Sequence, residues 1–509
     1  MNLAILAKQN IHKFGEYLSL IFEDTNASIY EEYTNVQIYQ ISNRFANALV
    51  KLGVKKGDCV SVILPNSPDV IKTFQAILKV GATINPVIFA LSKGEISYIL
   101  QDAAPACIVT SPELYEKVKS SADEANYTKD IVVVGDKQIP GTLSFEELIG
   151  ENLDQFDIVD TDEHDLAIVM YTSVTTGVPK GVMLTHKNVY SNITMSSQVF
   201  PLDQSTTQLC VLPLNHTYGV TLMNGSYLFG SKVVLHTWFN PEATLQAIAK
   251  HRVTYFAGVP TMYIMLLNTY NAQVHDTSSI KDFLVAAAPI PVDLLNIIEE
   301  KLGGKIYQGY GLTEAAPTVS LQQREYPLKK GSVGLPLPGI TVKIFDDNDQ
   351  EVPRGTWGEV VVQGENVMKG YLKKPKETAE ALRNGWLHTG DIGYMDEDGE
   401  LYITDRKKDL IIRGGENISP SEIEEVIFKH PGVLEVSVIG VPDPKYGEEV
   451  KAVVVPKPGQ SLTEQEIIGF CLERIARFRC PRSVAFVESL PKSLVGKVLK
   501  RELRKQFTQ

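Results

Sequence analysis

The eleven residues Tyr171-Thr172-Ser173-Val174-Thr175-Thr176-Gly177-Val178-Pro179-Lys180-Gly181 crowd four serine and threonine hydroxyls, two glycines and a lysine together. Phosphate oxygens need short hydroxyl donors, a mobile cation and a turn that brings backbone N–H groups close. The stretch follows an apolar run at 166–171 and precedes helical text starting near His186, so it reads as a loop between a strand and a helix. It does not meet the pattern G-x-x-x-x-G-K-[ST]: Lys180 precedes Gly181 and no serine or threonine follows, which disfavours an ordinary P-loop ATPase. Taken alone, a plain hydroxyl-rich loop would look the same.

Other strings combine chemically useful types. They are Pro213-Leu214-Asn215-His216-Thr217-Tyr218-Gly219, Gln308-Gly309-Tyr310-Gly311-Leu312-Thr313-Glu314, Trp386-Leu387-His388-Thr389-Gly390-Asp391 and Asp405-Arg406-Lys407-Lys408-Asp409. Gly414-Gly415-Glu416-Asn417 and Pro491-Lys492-Ser493 with Gly496-Lys497 complete the set. Each residue also has an ordinary reading: a surface carboxylate for Glu314, a turn aspartate for Asp391, solvated lysines for Lys408 and Lys497, a structural histidine for His216. Gly309-x-Gly311 lacks a third glycine and is no dinucleotide fingerprint.

In this order and at these separations the strings resemble the motifs of the acyl-adenylate-forming superfamily, which holds acyl-CoA synthetases, aryl-CoA ligases, nonribosomal adenylation domains and firefly luciferases. The resemblance spans essentially the whole chain. It implies that Thr172, Ser173, Thr175, Thr176 and Gly177 cradle the β- and γ-phosphates of ATP with Lys180 nearby, and that Glu314 with Thr175 holds Mg²⁺. Tyr310 offers an aromatic face to adenine, with Gln308 and Gly309 beside it and Gly311 in the same string; Thr313 reaches the α-phosphate. Asp391 is similar to the ribose ligand, with Arg406 as its companion. Lys497 matches the lysine that bridges the attacking carboxylate and the α-phosphate, a task that suits a point charge on a long stem.

Lys408 takes the hinge position, about which a small domain turns between adenylation and thioester formation. That turn would withdraw Lys497 and bring in Gly414, Gly415 and Glu416 around the pantetheine arm of coenzyme A. His216, Tyr218 and Gly219 line the acid's pocket in this resemblance, and Ala286, Ala287 and Ala288 stand where many relatives have glycines, narrowing its floor. Apolar Val259, Met262 and Tyr263 suggest a hydrophobic acid, of medium chain, cyclic or aromatic. Val174 departs from the usual Ser/Thr-Gly-Thr-Thr-Gly: a stiff β-branched residue replaces glycine and is expected to weaken ATP and pyrophosphate binding.

The elements that must position these residues alternate. Helical patterns at 43–52 and 69–79 interleave with apolar strands at 59–64 and 82–87, and further strands are expected at 166–171, 232–236, 255–259 and 283–287. This is the rhythm of βαβ units, so the fold class is α/β, a large unit of parallel sheets. Closely spaced β-rich runs at 341–345, 358–363 and 400–404 predict a small barrel-like subdomain over about 331–405. The charged run at 405–409 then marks a boundary, with a large domain at 1–407 and a small mobile α+β domain at 408–509.

Composition excludes other classes. With 44% hydrophobic and 22% charged residues the 509-residue chain is neither disordered nor fibrous. A net charge of −12 gives no field toward nucleic acid, although residues 471–509 carry an excess of seven positive charges, a solvated face or a site for phosphates. Five scattered cysteines form neither a disulfide framework nor a thiolate zinc site. The short apolar stretch Leu3–Ala7 is closed off by Lys8, no uncharged apolar run reaches membrane-spanning length and Phe507-Thr508-Gln509 is not the S-K-L address, so a cytoplasmic location is expected. The expected function is an AMP-forming acid–CoA ligase using a carboxylic acid, ATP, Mg²⁺ and coenzyme A, with no nucleic-acid or membrane partner and a homo-oligomer possible. Loading of a carrier protein, or a binding relative without turnover, are the alternatives.

Overall fold

The computed structural model describes residues 2–24, 28–172, 179–492 and 497–507. Among them, two large sheets share one core. The first orders its strands Leu335–Pro336, Thr318–Leu321, Lys305–Gly311, Asp282–Val285, Tyr255–Gly258, Thr207–Cys210, Lys232–His236, Leu18–Asp24 and Ile29–Thr34. It is parallel from Lys305–Gly311 to Leu18–Asp24 and antiparallel at both ends. The second runs Gly370–Tyr371, Lys180–Thr185, Leu166–Thr172, Thr83–Pro86, Cys59–Ile63, Cys107–Thr110, Ile131–Val133 and Leu143–Ser144. Central strands such as Cys107–Thr110 and Tyr255–Gly258 are buried throughout, as parallel strands covered on both faces must be. Phe256, Tyr263 and Phe283 meet edge to face in the centre and are fully buried. Each such ring contributes roughly 1.5–3 kcal/mol.

The helix expected at 43–52 begins eight residues earlier, as Asn35–Lys51. The polar stretch before residue 43 hides its start, but Thr34 Oγ1 accepts from the Gln37 N–H at 3.1 Å while the Gln37 side chain accepts from the Thr34 N–H at 2.8 Å. This reciprocal cap fixes the helix where the apolar pattern alone is faint.

A four-stranded antiparallel sheet follows, ordered Thr341–Phe345, Gly358–Gln363, Leu387–Met395 and Leu401–Arg406. It places Asp391 directly opposite Arg406. Beyond it, strands Ile411–Arg413, Glu416–Ile418, Val433–Asp443, Gly447–Pro456 and Ser483–Phe486 form a last sheet with helices Pro420–Phe428, Glu464–Leu472 and Lys500–Phe507. Ile411, Ile423, Ile427, Val438, Val450 and Cys471 form a core of their own. Asp405, at the end of the four-stranded sheet, reaches across to cap helix Pro420–Phe428: it accepts from the Ser421 N–H at 3.2 Å, from Ser421 Oγ at 2.8 Å and from Ser419 Oγ. Burial pushes its carboxyl above the usual aspartate range. The five cysteines are unpaired, and no helix among the described residues is long and apolar enough to cross a membrane.

Candidate functional site

The hydroxyl-rich stretch joins two antiparallel strands rather than a strand and a helix. Leu166–Thr172 pairs with Lys180–Thr185, Thr172 lying opposite Lys180, and the helix His186–Val199 starts only after the second strand. The expected strand–loop–helix order is therefore corrected: residues 181–184 are mostly apolar and pair back onto the sheet before Thr185 caps the helix. Ser173, Val174, Thr175, Thr176 and Gly177, together with Ser493 and Gly496, lie outside the described residues. Lys180 stands at the hairpin's return, its ammonium 4.8 Å from the centre of the Tyr371 ring.

Strand Lys305–Gly311 ends beside this hairpin's sheet and turns into Thr313–Ala315. Gln308 is buried and its N–H donates to Gln322 Oε1 at 2.9 Å, while Gly309 pairs with Leu321. Gly311 can carry no side chain, since a Cβ there would lie 2.2 Å from the Pro317 carbonyl oxygen. Thr313 is buried, and the Glu314 Oε1 atom accepts from the Tyr371 hydroxyl at 3.0 Å. Tyr371 belongs to none of the strings singled out in the sequence.

Asp391 is the electrostatic centre. One of its carboxylate oxygens accepts from the Tyr310 hydroxyl at 2.6 Å and the other pairs with Arg406 Nε at 3.1 Å. A carboxylate oxygen has two lone pairs, so each keeps one for a further donor, a fit for two neighbouring sugar hydroxyls. Burial first, and the Asp391 charge second, hold the Tyr310 phenol well above its ordinary range. Glu359, which sequence reasoning missed, steadies the turn by accepting from the Gly390 N–H at 3.1 Å, and its other oxygen lies 3.4 Å from His388 Nδ1 and 3.5 Å from Arg383.

Lys497 arrives from the last part of the chain. Burial, followed by the Arg406 charge, lowers its ammonium to about 8, while Asp391 acts in the opposite sense. His216 feels the same cation: burial and then Lys497 lower the imidazole to about 4, so it is neutral near pH 7. His216 caps helix Thr217–Phe229, its Nδ1 accepting from the Tyr218 N–H at 3.3 Å, which assigns the proton to Nε2. Gly219 is packed so tightly that a Cβ would stand 2.3 Å from the Pro213 carbonyl oxygen. The Tyr218 hydroxyl is buried with no hydrogen-bond partner among the described residues.

The structure thus gathers Lys180 and Glu314 around Tyr371, and Tyr310, Asp391, Arg406, Lys497 and His216 around one another. Lys408 lines an open cleft with Thr389, Gly390, Arg406 and Lys407. Gly414, Gly415 and Glu416 lie elsewhere, exposed at the tip of the hairpin formed by Ile411–Arg413 and Glu416–Ile418. Tyr263 is fully buried, its hydroxyl donating to the Leu284 carbonyl oxygen at 2.9 Å, and it belongs to the core with nearly buried Val259 and Met262.

The strand expected through residue 287 stops at Val285, because Ala287 turns to φ 73°. That left-handed backbone costs alanine roughly 1–2 kcal/mol, partly offset on mutation by the chain entropy that glycine loses on folding. Ala287→Gly should raise the thermal midpoint by about 1–2 °C in scanning calorimetry; a lower midpoint would show that no strain is stored there.

The open cleft at Thr389, Gly390 and Arg406 adjoins the Asp391–Arg406 pair, whose charges act on Lys497. The AMP-binding enzyme pattern matches residues 8–372, and the AMP-binding enzyme C-terminal domain matches 422–497. The chain belongs to the AMP-binding enzyme family, and it is an AMP-forming acid–thiol ligase. It is 37% identical to a long-chain-fatty-acid–CoA ligase of Bacillus subtilis, over 90% of this chain and 87% of that protein. It is also 37% identical to a feruloyl-CoA synthase of an Amycolatopsis species, over 91% and 92%. Among solved structures, ATP-bound MatB from Rhodopseudomonas palustris superposes with a TM-score of 0.91 at 30% identity, covering 100% of this chain and 99% of that one. The anthranilate CoA ligase AuaEII in complex with anthranoyl-AMP gives 0.93 at 28% identity, covering 99% and 97%.

Proposed function

We propose that this ligase activates a hydrophobic acid of medium chain, cyclic or aromatic, as its acyl-adenylate and passes the acyl group to coenzyme A. The observation that carries the reading is the placement of Lys497 where the charges of Asp391 and Arg406 act on it and its own charge acts on His216. A carboxylate attacking the α-phosphorus of ATP, with pyrophosphate leaving, concentrates negative charge at both ends of the displacement, and fixed cations and donors there supply most of the catalysis. Lys497 would hold the attacking carboxylate against the α-phosphate, with Thr313 as a further donor and neutral His216 lining the acid's side. Asp391 and Arg406 would fix the ribose, and Tyr310 with Gln308 and Gly309 the adenine.

Thr172 and Lys180 would meet the β- and γ-phosphates together with the loop between them. Among the described residues no group of three or more His, Cys, Asp or Glu side chains could hold a metal ion by itself. Mg²⁺ is ordinarily held by one or two carboxylates plus substrate phosphates, and Glu314, a hard oxygen donor steadied by Tyr371, fits that mode. When bound it would neutralise charge on the departing phosphates. We place the boundary between a large part at 1–407 and a small part at 408–509, hinged at Lys408, so that a turn brings Gly414, Gly415 and Glu416 toward the site for the thioester step.

Two relatives frame the acid: one is named for a long-chain fatty acid and another for feruloyl-CoA. The unpartnered Tyr218 hydroxyl gives the acid's side one polar donor. Acid-dependent exchange of pyrophosphate into ATP, run over linear, cyclic and aromatic acids and followed by the full reaction with free coenzyme A, tests the proposal. Exchange with a hydrophobic acid and thioester formation at comparable rates are expected. Exchange only with short polar acids would overturn the substrate class, and exchange without transfer to free coenzyme A would overturn the acceptor.

A further inference from the structure

We propose that Tyr371 is the positioning residue for the phosphate and metal end of the site, a role that rests on the reading of Glu314 and Lys180 given above. Its two functional faces are used at once. The hydroxyl donates to Glu314 Oε1 at 3.0 Å, and the ring face lies beneath the Lys180 ammonium at 4.8 Å. The two groups come from distant stretches of chain, Lys180 from the hairpin and Glu314 from the turn after Lys305–Gly311, and one side chain spans them.

The backbone makes that grip stiff. Tyr371 pairs with Val182 in the same sheet as Lys180, its N–H donates to Thr378 Oγ1 at 2.9 Å, and the Met368 N–H donates to the Glu314 carbonyl oxygen at 2.8 Å. Residues 368–371 therefore tie the Glu314 turn to the hairpin through backbone as well as side chain. A carboxylate with one oxygen occupied by a phenol has a fixed plane, so its other oxygen presents lone pairs in a set direction. A lysine held over a ring keeps its charge at a set height, by attraction to the negative face of the ring. Metal ligands are commonly oriented by such neighbouring hydrogen bonds, and losing one typically costs 10–100-fold in metal affinity.

Tyr371→Phe removes the hydroxyl and keeps the ring; Tyr371→Leu removes both. Equilibrium titration of the whole enzyme with ATP, without acid so that nothing turns over, is run at a series of Mg²⁺ concentrations. Tyr371→Phe should raise the Mg²⁺ needed for half-maximal ATP binding on the order of tenfold, while the Kd for ATP at saturating Mg²⁺ shifts less than about twofold, the ring still holding Lys180. Tyr371→Leu should in addition weaken ATP several-fold at saturating Mg²⁺. AMP binding, the thermal midpoint of Tyr371→Phe and its transfer of preformed acyl-adenylate to coenzyme A should stay at wild-type values.

An unchanged Mg²⁺ requirement in Tyr371→Phe overturns the proposal. So does a parallel loss of AMP binding and thermal midpoint, which would make the residue a fold element only. If wild-type ATP binding itself ignores Mg²⁺, the reading of Glu314 fails first and this one with it, a result distinct from the other two.

Discussion

Lys497→Ala should lose on the order of 10²–10³ in acid-dependent ATP–pyrophosphate exchange, the scale seen when one preorganised donor to a developing charge is removed. Preformed acyl-adenylate should still react with coenzyme A within about twofold of wild type, because on the proposed turn about Lys408 the lysine has left the site by then. Rapid-quench measurement of the two half-reactions separately decides it, and equal losses in both would overturn the two-posture mechanism. The lowered ammonium adds a second signature. Below pH 8 Lys497 is protonated and adenylation proceeds; as pH rises through about 8 the charge, and with it kcat/KM for the acid, should fall away in the free enzyme. Lys497→Arg, whose charge does not titrate, should be slower but lack that alkaline limb.

Asp391→Ala should damage both half-reactions, in contrast to Lys497→Ala, since the AMP moiety is held from start to finish. Two charge-assisted hydrogen bonds to the ribose are at stake, each worth about 1.5–3 kcal/mol, so kcat/KM for ATP should drop on the order of 10²-fold or more. The change also strips Tyr310 and Arg406 of the partner found at 2.6 and 3.1 Å, and a buried group left unsatisfied costs about 1–3 kcal/mol. A lower thermal midpoint should therefore accompany the kinetic loss, recovered in part by Asp391→Asn, which still accepts from the Tyr310 hydroxyl. Steady-state kinetics with calorimetry read both effects. Normal transfer from preformed acyl-adenylate would rule out the ribose role.

Much of this was legible in the chain because local rules set it. The run at 232–236 is a strand, Lys232–His236, buried at four of its five positions, and apolar continuity is the signature of a parallel strand between two helical layers. The string around Tyr310 marks where a strand ends, and the string around Asp391 lies within a strand, opposite Arg406. What stayed hidden depends on partners far away in sequence. Nothing near Tyr310 announces a hydrogen bond to a carboxylate 81 residues on, and nothing near Tyr371 announces a grip on Glu314 and Lys180.

The hairpin return at Lys180–Thr185 was misread for a related reason: six residues ending in a helix cap look like the approach to a helix until the partner strand is known. Tyr263 is another case: nothing near it in the chain announces that its hydroxyl donates to the carbonyl oxygens of Phe256 and Leu284.

The cap that Asp405 places on helix Pro420–Phe428 has a further consequence for timing. The carboxylate belongs to the strand before Lys408, and the two serines and the amide it binds belong to the part that would turn, so the turn must pull these hydrogen bonds apart. Each is worth on the order of 1 kcal/mol, and together they act as a detent that holds the adenylating posture against thermal jostling. The interval during which a water-sensitive anhydride stays covered would then be set by a side chain that touches no substrate.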